Sequence, residues 1–265
     1  MNLVKKIIFY LQLEMKTPVA FGWFHWLWIF FTIIAILFLY FKKNKSKKYL
    51  NKVLLIYGIV ALLLEALKQL SWGINYDFLI NQITWDYEWY AFPFQLCTTP
   101  IYASLLYLII KNKKIKLALL SYLAFVTILG SFMTIIIPDS CFVSDILINI
   151  HTMWLHCGSF VVSIYLLMSG IVEINIKNLK SALLTFMTFV GIALALNLIV
   201  FNIGILNGET FNMFYISPYF ISSLPIFDII QENVPYLIYL IIYLFALILG
   251  SFIVYHIAEF IKRKK

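Results

Sequence analysis

Long apolar blocks alternate with short polar breaks along this chain, and each block is near the ~20 residues that a helix needs to cross a bilayer core. The pattern predicts an all-α membrane protein with seven transmembrane helices. They run from Phe21 to Phe41, Leu50 to Trp72, Ala91 to Ile110, Leu117 to Ile137, Ile146 to Gly170, Ser181 to Phe201 and Tyr236 to Ile257. Ahead of them, Leu3, Val4, Ile7, Ile8 and Leu11 recur at helical spacing, with Lys5, Lys6, Gln12 and Lys16 elsewhere. That spacing predicts a short helix lying in the interface. Residues 1–19 are thus expected to form an interfacial segment, and residues 20–265 a single seven-span domain. Gln12 and Glu14 break the apolar stretch and no small-residue cleavage site follows, unlike a signal peptide.

Charge sets the orientation. Lys42, Lys43, Lys45, Lys47 and Lys48 follow the first block, and Lys111, Lys113, Lys114 and Lys116 the third. Lys177 and Lys180 follow the fifth, and Lys262, Arg263, Lys264 and Lys265 the seventh. The opposite connections carry Asp77, Asp86, Glu88, Asp139, Asp145, Glu209, Asp228 and Glu232 without a lysine or arginine. Seven spans put every basic cluster on one side, so the N-terminus is expected outside and the C-terminus in the cytoplasm, as in a multi-pass protein of the cell membrane. Only Lys5, Lys6 and Lys16 run against this segregation.

Composition removes the soluble alternatives. Hydrophobic residues make up 63% and charged ones 12%, too little charge to cover a soluble surface. The net charge of +8 sits in loop clusters that touch anionic head groups, so no nucleic-acid partner is expected. Cys97, Cys141 and Cys157 form no disulfide framework. The long outer connection, residues 202–235, is rich in aromatics and broken by Gly204, Gly208, Pro218 and Pro225. It reads either as a lid or re-entrant cap, or as an aromatic interfacial loop.

Polar side chains inside the apolar blocks need a reason to be there. His25 lies in the first block; Glu65, Lys68 and Gln69 in the second; Gln95, Cys97, Thr98 and Thr99 in the third. The fifth holds His151, His156, Cys157 and Ser159, and the sixth Asn197. At ~1.5 Å of rise per residue all of them fall in the outer third of the membrane. Glu65 and Lys68 share a helix face with Gln69, as an internal ion pair or as a substrate-binding group. Cys97 is a candidate nucleophile because an imidazole at the same depth can take its proton. Pro93 suits a first helical turn, while Pro100 is expected to kink the third span near Cys97. His151 and His156 are five residues apart, ~140° around a helix, so they do not converge on one small site and fit a zinc pair poorly. Gln95, Thr98 and Asn197 are candidate donors to an oxyanion.

The segments FPFQLCTTPIY, IPDS and IHTMWLH, and the stretch from Asn197 that ends LNGETFNMFY, resemble the YwaF-type bacterial membrane protein family. That family is similar to a eukaryotic transmembrane lipid acyltransferase that builds polyunsaturated ether phospholipids. The resemblance implies Cys97 as the acyl-accepting nucleophile and His151 or His156 as its base. Acyl groups would pass between membrane phospholipids through a thioester, or directly, with no cofactor. His25, Glu65, Lys68, Gln69, Gln95, Thr98 and Asn197 would then line the substrate site. Two other readings compete: a metal-dependent intramembrane hydrolase using His25, His151, His156 and Glu65, and a small-solute transporter or binder centred on Glu65 and Lys68. The oligomeric state is not legible in the sequence.

Fusing alkaline phosphatase after residue 207 should give an active enzyme, and fusing it after residue 113 an inactive one. The reverse result would overturn the orientation.

Overall fold

The computed structural model describes residues 3–42, 46–77, 80, 82–138 and 141–264, without the side chains of Leu3, Val4 and Asp77. Lys43, Lys45 and Lys265 of the basic clusters, and Asp139 and Ser140 of the IPDS turn, lie outside the described residues.

Helix α1 (Leu3–Leu11) precedes α2 (Trp23–Lys42) and α3 (Lys47–Gly73). After α3 come two short strands, β1 (Ile74–Asp77) and β2 (Gln82–Trp85), paired antiparallel from Ile74↔Trp85 to Asp77↔Gln82. The chain continues through α4 (Thr99–Ile109), α5 (Lys113–Phe125), α6 (Thr127–Ile136), α7 (Ile146–Met168) and α8 (Ile176–Ile203). Helices α9 (Phe227–Asn233) and α10 (Tyr236–Arg263) end the chain. Apart from the hairpin, which the apolar pattern does not announce, the regular structure is helical.

Among the described residues, six stretches are long and apolar enough to cross a membrane: α2, α3, α5 with α6 as one run over Lys113–Ile136, α7, α8 and α10. Each matches an expected span to within a few residues. The third expected span differs. Ala91 ends a 3₁₀ turn (Trp89–Ala91), residues 92–98 are non-helical, and helix begins only at Thr99. Eleven helical residues reach ~16 Å, about half a bilayer core. Proline explains the difference. Pro100 sits in the first helical turn, where its missing N–H costs nothing; a helix running on through it would lose the bond to the Leu96 carbonyl and clash with that group, and Pro93, expected in a first turn, lies in the non-helical stretch. Pro100 therefore starts a helix instead of kinking one.

Non-helical backbone packed within an apolar bundle needs partners from the protein. Ala91 accepts a hydrogen bond from Gln69 Nε2 at 2.7 Å, and Pro93 accepts one from the Tyr102 hydroxyl. Thr98 Oγ1 donates to the Gln95 carbonyl at 2.8 Å, and Thr99 Oγ1 to that of Leu96 at 2.7 Å. The break also packs against the long connection after α8. Phe211, Met213, Phe214 and Ile216 of that connection are fully buried, so it folds back into the bundle as a cap. Phe94 stacks on Phe214 with ring centres 5.9 Å apart, and Phe92 meets Phe211 at 5.4 Å.

The cap is held by amides. Asn197 donates from Nδ2 to the Met213 carbonyl (3.0 Å) and accepts from the Met213 N–H (2.7 Å). Gln95 repeats the arrangement, donating to the Asn212 carbonyl (3.1 Å) and accepting from the Phe214 N–H (3.0 Å). These bonds hold Phe214 and Tyr215 at φ of 59° and 60°, where bulky residues are rarely found.

Helix α7 is the axis of the bundle, packed on α2, α3, α5 and α6. Hydroxyls join it to its neighbours: Thr127 Oγ1 lies 3.1 Å from Ser163 Oγ, and Ser131 Oγ 2.5 Å from Ser159 Oγ. Helices in lipid gain little from burying apolar surface, so such bonds and close approaches hold them together. Gly158 is one such approach, where an added Cβ would lie 2.8 Å from the Tyr57 ring. Outward faces expose Trp26, Phe30, Leu63, Leu184, Ile241 and Phe245, as a lipid-facing surface does.

The N-terminal segment is stitched to the same end of the bundle as the cap. Gln12 Nε2 donates to the Ser71 carbonyl at 2.9 Å, Met15 N–H to that of Ser144 at 2.7 Å, and Ile146 N–H to that of Leu13 at 3.0 Å.

Replacing Asn197 with leucine strands two buried backbone groups of Met213, at about 1–3 kcal/mol for each. Thermal unfolding of the purified protein should fall accordingly; an unchanged midpoint would mean that the cap is held by other contacts.

Candidate functional site

The most polar point inside the bundle is a carboxylate shared by an ammonium and an imidazole. Glu65 and Lys68 are three residues apart on α3, and the Lys68 ammonium lies 2.7 Å from Glu65 Oε1. From α7, His151 Nε2 lies 2.7 Å from Glu65 Oε2. Exposure is 3% for Glu65, 7% for Lys68 and 5% for His151, so water screens little of their attraction. Gln69, one turn on, donates to Glu65 Oε1 at 2.9 Å and accepts from the Tyr87 hydroxyl at 2.7 Å. The Lys68 ammonium also lies 5.8 Å from the centre of the Trp72 ring. Every charge here has a partner, as burial requires.

A neutral His151, with Nε2 directed at the carboxylate, donates from that nitrogen and leaves the lone pair on Nδ1.

Cys97 sits in the non-helical break, one residue before the N-cap of α4. It is half-buried and reduced, and its thiol interacts electrostatically with Lys68 and Glu65. Of the two charged groups, Lys68 is the positive one. Among the described residues, no hydrogen bond joins the thiol to either histidine. Tyr57, Tyr122 and Tyr215 lie in the same region, and none of the three stands out in the sequence as polar groups within spans do.

The remaining candidates are spread out. His25 is buried and both its ring nitrogens meet backbone: Nδ1 accepts from the Phe21 N–H at 2.9 Å and Nε2 donates to the Ile135 carbonyl at 2.8 Å. It packs with Phe142 in an apolar cluster of its own. The imidazole of His156, five residues from His151, has no hydrogen bond among the described residues, in keeping with the ~140° between them. Gln95, Thr98 and Asn197 have their donors engaged with backbone carbonyls. Among the described residues, no three His, Cys, Asp or Glu side chains come together as metal ligands. His25, His151, His156 and Glu65 thus do not form the set that a metal hydrolase would need.

Residues that spacing does not reveal complete the outer wall. Tyr87, Trp89 and Tyr90 follow the hairpin, and the Trp89 N–H donates to Glu209 Oε2 at 2.8 Å. Glu88 beside them has its carboxyl raised above the usual range by burial and by the nearby Glu209 and Asp86. Burial, then the Glu65 carboxylate, raises the Tyr87 phenol. The one signal in the sequence is the density of tryptophan and tyrosine between Trp85 and Tyr90.

A family model, that of the TMEM164 family, matches residues 20–255, which is nearly the whole chain, and the chain belongs to that family. No curated protein and no solved structure matches it.

Replacing Glu65 with leucine leaves the Lys68 ammonium buried without a counter-charge, a loss of about 3–5 kcal/mol. Pairing that change with Lys68→Met should restore most of the thermal stability. A double variant no more stable than the single one would show that the two charges are not coupled.

Proposed function

We propose that this member of the TMEM164 family is a membrane-lipid acyltransferase in which Cys97 is the nucleophile, His151 the base and Glu65 the residue that positions it. The observation that carries the reading is the buried Glu65–His151 contact at 2.7 Å, on the same cluster that interacts with the Cys97 thiol. His151 takes the thiol proton at Nδ1 and the sulfur attacks the ester carbonyl of a phospholipid. A carbon–sulfur bond forms, the carbon–oxygen bond breaks, and the departing glycerol oxygen receives the proton from His151. A lysophospholipid hydroxyl then gives its proton to the same nitrogen, attacks the thioester and carries the acyl chain away. The thiol regains its proton.

Lys68 contributes in two ways. It keeps Glu65 ionised, and an ammonium has three donors, of which the carboxylate uses one. The others suit the negative oxygen that develops on the carbonyl. With Gln95, Thr98 and Asn197 occupied by backbone, Lys68 is the strongest donor in the cluster.

The basic clusters support seven crossings, with the broken third segment as one of them. The active cluster then opens toward the outer leaflet, where α7 begins and α3 ends. A glycerophospholipid enters from the lipid side, past the aromatic wall of Trp72, Tyr87, Trp89 and Tyr90. The cap that buries Met213 and Phe214 keeps water from the thioester, which favours transfer over hydrolysis.

In reconstituted vesicles, Cys97→Ala should reduce acyl exchange between phospholipids at least about a thousandfold, and His151→Ala should approach that loss. Glu65→Gln should leave a smaller residue of activity, because the amide still holds the ring but not its charge. A peptide containing Cys97 and mass-shifted by one acyl chain should be recovered from the quenched wild-type protein. Full exchange by Cys97→Ala would rule out the covalent route.

A further inference from the structure

A cavity lies away from the Cys97 cluster, on the half of the bundle where α7 and α10 finish. Its volume is about 930 Å³, within the range of sites that hold organic ligands. Phe132 of α6, Phe160 and Leu167 of α7, and Ile253, Ile257 and Ala258 of α10 form its walls. Gly250 explains its shape. An added Cβ there would lie 2.1 Å from Leu129 Cδ2, so α10 presses against α6 at this point. Beyond the contact the helices part and leave a slot.

The slot is apolar along its length and charged at its mouth. Lys262 and Glu173 both line it. Among the described residues no ion pair joins them to each other or to another charged side chain. Glu173 accepts a hydrogen bond from Asn175 Nδ2 at 3.2 Å, while the nearest basic neighbour of Lys262, Arg263, is engaged by Glu259 at 2.8 Å. A long apolar slot with one cation and one anion held apart at its entrance has a clear chemical complement. That complement is acyl chains joined to a head group with a phosphate and an ammonium.

We propose that this crevice is a binding site for one diacyl phospholipid with a zwitterionic head group. Its acyl chains lie between α6, α7 and α10, its phosphate meets Lys262 and its ammonium meets Glu173. The lipid acts as a structural wedge: it fills space that helix packing leaves empty and couples α10 to the rest of the bundle. The site is at the far end of α7 from His151, and the inference does not rest on the acyltransferase reading.

The test is native mass spectrometry of the full chain in detergent, titrated with phosphatidylethanolamine, phosphatidylglycerol or diacylglycerol. One phosphatidylethanolamine should be retained per chain, at least about tenfold more tightly than diacylglycerol. Ala258→Trp fills the slot and should lower retention at least about tenfold. Glu173→Gln should remove the preference over phosphatidylglycerol while retention persists, and Lys262→Gln should weaken both phospholipids. These two charge variants lie at the rim and test the site even if Ala258→Trp fails to fold. Retention unchanged in a folded Ala258→Trp, or equal retention of diacylglycerol and phosphatidylethanolamine, would overturn the proposal. So would a wild type that retains no lipid.

Discussion

Backbone N–H and C=O groups cannot be left bare inside an apolar bundle, and residues 92–98 put seven residues of non-helical, half-buried backbone there. Much of the polar structure in this half of the bundle answers to them. Gln69 serves the carbonyl of Ala91, Tyr102 that of Pro93, and Thr98 and Thr99 those of Gln95 and Leu96. Gln95 in turn reaches across to the cap, whose own exposed backbone needs partners. Two irregular segments thus satisfy each other. The result is a rigid, non-repeating wall where an ordinary helix would have presented only side chains, and Cys97 is mounted in it.

A buried carboxylate is the second constraint, and it follows from the first. Gln69 bonds both the Ala91 carbonyl and Glu65, so the break in the third segment and the charged cluster are one network. Glu65 draws Lys68 from its own helix and His151 from α7, and thereby fixes how α3 and α7 face each other. Low dielectric makes each of these contacts strong and makes the loss of any one costly. Such a cluster suits chemistry because the groups are already desolvated and oriented before a substrate arrives.

Much of this architecture was legible in the sequence, for a physical reason. Hydropathy is a local sum, so the lengths and limits of α2, α3, α7, α8 and α10 follow from runs of residues. The common depth of Glu65, Lys68 and His151 follows from counting helical rise. The third span was misjudged because a hydropathy sum sees Pro100 as one more apolar residue and not as a missing donor. Asn197 and Gln95 read as free amides near a reaction centre, whereas their partners are Met213, Asn212 and Phe214, more than a dozen and more than a hundred residues away. No local pattern carries that information. The hairpin and the Tyr87 contact to Gln69 escaped for the same reason. His25 drew attention as an ionisable group in an apolar block, and its two backbone contacts became visible only when Ile135 was brought beside it.

The distance in sequence between the break and its partners has a consequence for biogenesis. Ribosomes deliver Gln95 to the membrane more than a hundred residues before Asn212 and Phe214 emerge. Until then Gln95 has no cap to bond, although Gln69 and Tyr102 can already serve the carbonyls of Ala91 and Pro93. Closure of the cap over the break therefore waits until Phe214 has been made, with α9 and α10 still to follow.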